Sequence, residues 1–441
     1  MSTAPAPTAP PRQLGFWMCT ALVVGNTIGM GIFLLPASLA PHGLNATIGW
    51  LVVVVGCLAL ARVFSELARL HPDADGPYGY IRATLGDLPA FLAMWSYWVS
   101  VWITNATLAT GVVGYASAVY APLATVPPWI PALALVWLFV AINCLGARTG
   151  GGVQVATSVL KLVPMLAIAA LGVVLLATSP ATLTANAPTV PFSSTAIMAA
   201  TTTALFAMLG FESATVPAGN VVDPARTIPR ATMIGTILVS VVYLTVSTVP
   251  MLLIPGAELA ESGAPFALVM DRFATEGAGR WLALFVVISG LGCLNGWTLV
   301  VAELTRTLAN NGTLPPVFAR ANARRAPVPA LLLTGALASA MVAMNYNQTL
   351  VAGFTFLTQV VTAANLPVYA LCATSGWIVW RRGTLAGTAA MLLALVLAVA
   401  FIVVCVVGMG REAMLLAVGL AAAGLPVYAL VRARRAAPAS D

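Results

Sequence analysis

Long apolar runs recur from one end of the chain to the other, parted by short stretches most of which hold Pro or Arg. A helix needs about 20 residues to cross a hydrocarbon core of about 30 Å. Runs of that length predict twelve spans, at about 14–39, 45–70, 88–119, 127–146, 152–177, 193–218, 230–254, 280–309, 327–346, 349–377, 383–408 and 411–433. They lack the strict apolar/polar alternation of a membrane barrel strand, and lipid obliges each spanning element to satisfy its own backbone hydrogen bonds. The predicted fold class is an all-α membrane protein of about 12 transmembrane helices.

Composition sharpens this picture. Apolar residues make up 60% of the chain and charged ones 7%, against about 25% charged in a soluble domain. Too little polar surface is left to cover such a chain in water. The longest connection, 255–279, is too short for a second domain, so one transmembrane domain is expected over 14–433. Residues 1–13, rich in Pro and Ala and without a basic cluster leading into a cleavable apolar core, are expected to be a disordered tail. Residues 434–441 form the expected tail at the other end.

Little enzymatic chemistry is on offer. The six cysteines all sit in apolar segments at no metal-like spacing and read as packing residues. The two histidines, His42 and His71, fall near span ends, which argues against a His-based metal site or a Ser/His/Asp triad. No GxxxxGK phosphate loop occurs. Neither ATP nor a metal nor any other cofactor is expected.

The net charge of +7 needs no nucleic-acid partner. With the amino terminus in the cytoplasm, Arg12, Arg69, Arg82, Arg148, Arg226, Arg230, Arg306, Arg320, Arg324, Arg325, Arg381, Arg382, Arg432, Arg434 and Arg435 fall on the inner side, and Arg272, Arg280 and Arg411 on the outer. This positive-inside bias predicts a multi-pass protein of the bacterial inner membrane with both termini cytoplasmic.

Two spans carry interruptions. GNTIGMGIFLLP (Gly25 to Pro36) lies in the first and LGFESATVPAG (Leu209 to Gly219) in the sixth. They are five spans apart, as an inverted repeat of five helices plus five requires, and such paired breaks expose backbone groups at mid-membrane in transporters. Free N–H groups at the start of one half-helix suit a carboxylate, and free C=O groups at the end of the other suit an ammonium. An α-amino acid carries both. Glycines that merely permit close helix packing are the competing explanation for either span alone.

These stretches, with GPYGYIRATLG (Gly76 to Gly86), YWVSVWITNATLATGVVGY (Tyr97 to Tyr115), GFESATVPAGNVVDPARTIPRA (Gly210 to Ala231) and GCLNGWTLVVAELTRTLANNGTLPPVFAR (Gly292 to Arg320), resemble the amino acid/polyamine/organocation (APC) superfamily. Within it the chain looks most like the bacterial arginine/agmatine antiporter group. The resemblance implies a LeuT-like 5+5 inverted repeat, with repeat one at about 14–177, repeat two at about 193–377, and two further helices at about 383–433. It also implies alternating access, and a homodimer would be in keeping with the resembled antiporters.

Carried over position by position, the resemblance places the substrate at Asn26, Thr27, Met30 and Gly31 of the first break. A carboxylate would face the amides near Met30 and Gly31, and an ammonium the carbonyls of Thr27, Phe206 and Leu209. Trp297 would stack on the substrate side chain, a cation over an indole being attracted by about 0.5–2 kcal/mol. Tyr97, Ser100, Val101, Asn105 and Leu108 would line the far end, and Glu212 would join Tyr97 in a gate. This chain departs from the group at three positions: Met30 replaces a serine, Phe206 a tryptophan that lids the substrate, and Val368 a gate tyrosine. A more apolar pocket than an arginine site is expected.

Charges at bilayer depth cost at least about 2.5–3.5 kcal/mol, which singles out Lys161, Glu212 and Glu303. Lys161, the sole lysine of the chain, resembles a fifth-span lysine of other APC transporters whose ammonium stands in for a sodium ion. It is expected to contact the carbonyls around Gly25 and Asn26, through a side chain that can lose its proton when desolvated; snorkelling to the surface is the alternative. Glu303 and Arg306 are expected to pair on one helix face. The reading that follows is a secondary transporter or exchanger of amino acids, its partners an amino acid or amine, the lipid bilayer, and protons if Lys161 couples to them. The alternatives are a cationic amino acid/polyamine antiporter and, from another class, a non-transporting membrane sensor.

Overall fold

The computed structural model describes residues 14–71, 76–146, 160–186, 189–212, 221–383 and 389–436. The tail expected at 1–13, the start of the fifth span before 160, the far part of the second interruption (213–220) and residues 437–441 lie outside them.

The described residues are helical, with a single isolated bridge between Leu14 and Val221. In chain order the helices are α1 (Phe16–Thr27), α2 (Gly31–Leu39), α3 (Leu44–Leu70), α4 (Gly76–Leu85), α5 (Asp87–Val119), α6 (Trp129–Cys144), α7 (Leu162–Thr178), α8 (Pro180–Ala185) and α9 (Ser194–Met208). Then follow α10 (Pro224–Leu253), α11 (Gly256–Glu261), α12 (Pro265–Phe273), α13 (Ala278–Asn310), α14 (Val328–Met344), α15 (Leu350–Arg381), α16 (Ala389–Val407), α17 (Arg411–Ala422) and α18 (Gly424–Ala436). Among the described residues six helices are long and apolar enough to cross a membrane, the last formed by α17 and α18 together, or seven if the bent pair at the first interruption is one span. Four more apolar helices, α6, α7, α9 and α14, are shorter.

Small residues let these helices approach. A side chain at Gly49 of α3 would meet the backbone of Thr201 in α9 at 3.0 Å, and one at Gly56 would strike the Phe401 ring of α16. Polar bridges tie distant helices: Trp50 donates to Ser247 Oγ at 2.9 Å, Trp98 to Thr305 Oγ1 at 2.8 Å, and Asn143 to Asn295 Oδ1 at 2.9 Å. Where lipid offers no competing water, such bonds hold a bundle together. All six cysteines are free, and Glu303 pairs with Arg306 across one turn at 3.4 Å, an exposed contact of small energetic weight.

The connection over 255–279 holds more structure than expected. It folds into α11 and α12, joined by the Arg272–Glu258 ion pair. In α12, Phe266 and Val269 are one turn apart and both are buried, so the segment covers the bundle with an apolar face.

Candidate functional site

The first span breaks at Ile28–Met30. α1 and α2 meet there at a bend of 47°, and Ile28 has an extended ψ of 96°. An interrupted helix leaves its last carbonyls without their usual N–H partners. Three side-chain bonds serve them here: Lys161 Nζ donates to Gly25 O at 2.5 Å and to Ile28 O at 2.5 Å, and Tyr243 Oη donates to Thr27 O at 3.0 Å. Lys161 is buried and reaches the bend from the start of α7. Its partners are Gly25, as the sequence predicts, and Ile28 in place of the neighbouring Asn26.

On the far side of the bend α2 begins at Gly31, and Met30 at its N-cap makes no side-chain capping bond. The start of a helix with free N–H groups favours an anion. The side chain of Met30 is fully buried, in a notch opened by two glycines: a Cβ at Gly111 would lie 3.0 Å from Met30 Cγ, and one at Gly290 2.9 Å from its Sδ.

The second interruption lies directly against the first. α9 ends at Met208, and Gly210 has a φ of +105°, a conformation glycine alone adopts without strain. A side chain at Gly210 would meet Asn26 O at 3.0 Å, and one at Gly31 would strike the Phe206 ring.

A cavity of about 550 Å³, part of it open to solvent, lies at this crossing. Of the residues predicted for the site, Asn26, Thr27, Met30, Gly31, Tyr97, Ser100, Val101, Leu108, Phe206, Leu209, Glu212 and Trp297 line it. Lys161 touches the bend from behind. Asn105 and Val368 are not among the lining residues. Asn105 is buried with its Oδ1 unpartnered among the described residues. It lies about 80° round α5 from the stripe formed by Tyr97, Ser100, Val101 and Leu108. Val368 is buried as well, and its neighbour Tyr369 takes the position against the acid, donating to Glu212 Oε2 at 3.3 Å and packing on Phe64 and Phe211 at 5.9 and 5.6 Å.

Sequence reasoning missed Gly29, Thr104, Ala207, Gly210 and Asn365, which also line the cavity. Thr104 falls on the α5 stripe one turn after Ser100, so helical periodicity alone would have found it. Asn365 had no such signal: it lies three residues before Val368, the single position of that span marked by the resemblance.

A bundle of apolar helices enclosing a cavity at a broken helix defines a membrane transporter, and comparison with known proteins gives the family. The profile described as amino acid permease matches residues 14–427, and the chain belongs to that family, within the APC superfamily. A cadaverine/lysine antiporter of Escherichia coli (strain K12) is 33% identical over 335 residues, 75% of this chain and 74% of the relative. The putrescine transporter PotE of the same strain is 29% identical over 361 residues, 82% of each chain. PotE of Haemophilus influenzae is 29% identical over 367 residues, 82% of this chain and 84% of its own.

Proposed function

We propose that this protein exchanges amino acids or amines across the bacterial inner membrane by alternating access around the cavity at the crossed interruptions. The observation that carries the proposal is the meeting of the two breaks, with the start of α2, which has no side-chain cap, and the acid Glu212 on the walls of one cavity. Twelve spans are reached in this reading by taking the bent pair, the six long helices, the four shorter apolar ones and the 33-residue α5 each as one span. The first ten form the LeuT-like 5+5 repeat and the last two stand apart, with both termini cytoplasmic as the arginine bias requires.

In this reading a substrate carboxylate sits at the amides near Met30 and Gly31, since the Met30 thioether is turned away into its glycine notch. Its side chain extends along Trp297 toward Ser100, Val101 and Leu108. Lys161 couples the bend to protons: charged, it bridges the carbonyls of Gly25 and Ile28; neutral, it holds them less tightly and α1 moves. Asn26 is exposed at mid-span, which fits a cavity open on the cytoplasmic side.

The cationic reading is favoured over a neutral one by the acid in the lining and by relatives named for lysine, cadaverine and putrescine. The test is an uptake and exchange screen in proteoliposomes with labelled lysine, arginine, agmatine, cadaverine, putrescine and neutral amino acids, with and without a proton gradient. Saturable exchange of at least one amine or amino acid is expected. A purified, monodisperse protein that carries none of them would overturn the proposal.

A further inference from the structure

Three hydroxyls and the indole on the cavity wall have already spent their donors. Thr27 Oγ1 donates to Val23 O at 2.7 Å, Ser100 Oγ to Tyr97 O at 2.8 Å, and Thr104 Oγ1 to Ser100 O at 2.8 Å. The Trp297 indole, which can only donate, is hydrogen-bonded to Cys293. What these hydroxyls still present to a solute is lone pairs.

Asn365 completes the pattern. Its Nδ2 lies 3.1 Å from Val361 O, and because a carbonyl oxygen can only accept, the atom facing it must be the amide nitrogen. The residue is 4% exposed and lines the cavity, and with one N–H held by Val361 its Oδ1 is the acceptor it can offer a bound solute. One turn further along α15, Tyr369 holds Glu212 Oε2 at 3.3 Å, and Glu212 lines the same cavity. Successive turns of one helix thus present an amide oxygen and position a carboxylate.

We infer that Asn365 is a specificity-determining residue, whose amide oxygen, with Glu212 and the α5 hydroxyls, selects a substrate bearing a primary ammonium remote from the α2 start. An ammonium brings three donors and no acceptor, the complement of a wall with acceptors to spare. A branched aliphatic side chain would leave those oxygens dry and unpaired, at a cost in affinity. This inference deepens the proposed transport function and rests on it.

The test compares KM and maximal rate for lysine, cadaverine and leucine in proteoliposomes holding wild type, Asn365→Leu or Asn365→Asp. Loss of a hydrogen bond to a charged group predicts a KM about tenfold or more higher for lysine and cadaverine in Asn365→Leu, with the leucine KM unchanged or lower. Asn365→Asp keeps the acceptor and adds charge, so its KM for cadaverine falls relative to leucine; this variant decides the matter if the leucine variant does not fold. An unchanged ratio of amine to leucine KM in the folded variants overturns the inference and leaves transport intact. Wild-type transport of leucine alone does the same, whereas no transport of any solute overturns the functional proposal and this inference with it.

Discussion

The two halves of the first span share one stretch of sequence and meet opposite fates. In α2 every residue from Gly31 to Leu39 is buried, whereas α1 buries only Cys19, Thr20, Val23 and Thr27, leaving Trp17 74% and Met18 54% exposed. α2 is enclosed by rings and backbone: Tyr115 Oη donates to Phe33 O at 2.7 Å, accepts from Phe266 N–H at 3.3 Å, and Phe33 packs on Phe266 at 5.6 Å. α1 packs along α10 and is pinned at its end by Lys161 and Tyr243. One half is enclosed on every side, the other packs along one helix and is tied by a few polar bonds at its tip, so in the proposed cycle the second is the half that a change in protonation releases.

The comparison can be broken most severely at Lys161. Lys161→Ala removes two charge-assisted bonds of about 1.5–3 kcal/mol each and leaves the Gly25 and Ile28 carbonyls without that donor. Transport in proteoliposomes should fall by about a hundredfold or lose its dependence on pH; unchanged uptake with an unchanged pH profile would dismiss the coupling role. Next comes the enclosed half. A side chain at Gly114 would meet Gly263 O, a backbone atom, so Gly114→Val should lift the α11–α12 segment at about 1–3 kcal/mol, and thiol labelling of Ser38→Cys beside it should quicken about tenfold to a hundredfold.

A milder change at the same place is Tyr115→Phe, which deletes two bonds of about 1 kcal/mol each. Labelling at Ser38→Cys should rise about tenfold while the protein stays folded; no change would mean that packing alone closes this half. Tyr243→Phe, which removes the bond to Thr27 O, should alter exchange by about fivefold and in the same direction as the lysine variant. A larger effect from Tyr243 than from Lys161 would reverse their assigned ranks.

Much of this was legible in residue order. Gly25, Gly29 and Gly31 mark the first interruption, although the helix survives past Gly25 and resumes at Gly31, continuing through Pro36. A lone lysine in an apolar run marked its own importance, since no neighbour of opposite charge in the run could pair with it. What residue order does not carry is rotation. Asn105 and Val368 belong to helices that do line the cavity, but adjacent positions on a helix are about 100° apart, and it is Thr104 and Asn365 that stand on its wall. Which face of α15 looks into the cavity depends on how α5 and α9 pack against it, and no pattern within α15 records that. The apolar face of α12 is written at helical spacing, and its brevity hid it among connecting residues.

A Cβ at Gly210 would lie 3.0 Å from Asn26 O, and the φ of +105° there strains any other residue. Contact of that kind works like a shared pivot. In the proposed alternating access a tilt of one segment is passed on to the other through this crossing, and a bulkier residue at Gly210 should uncouple the two.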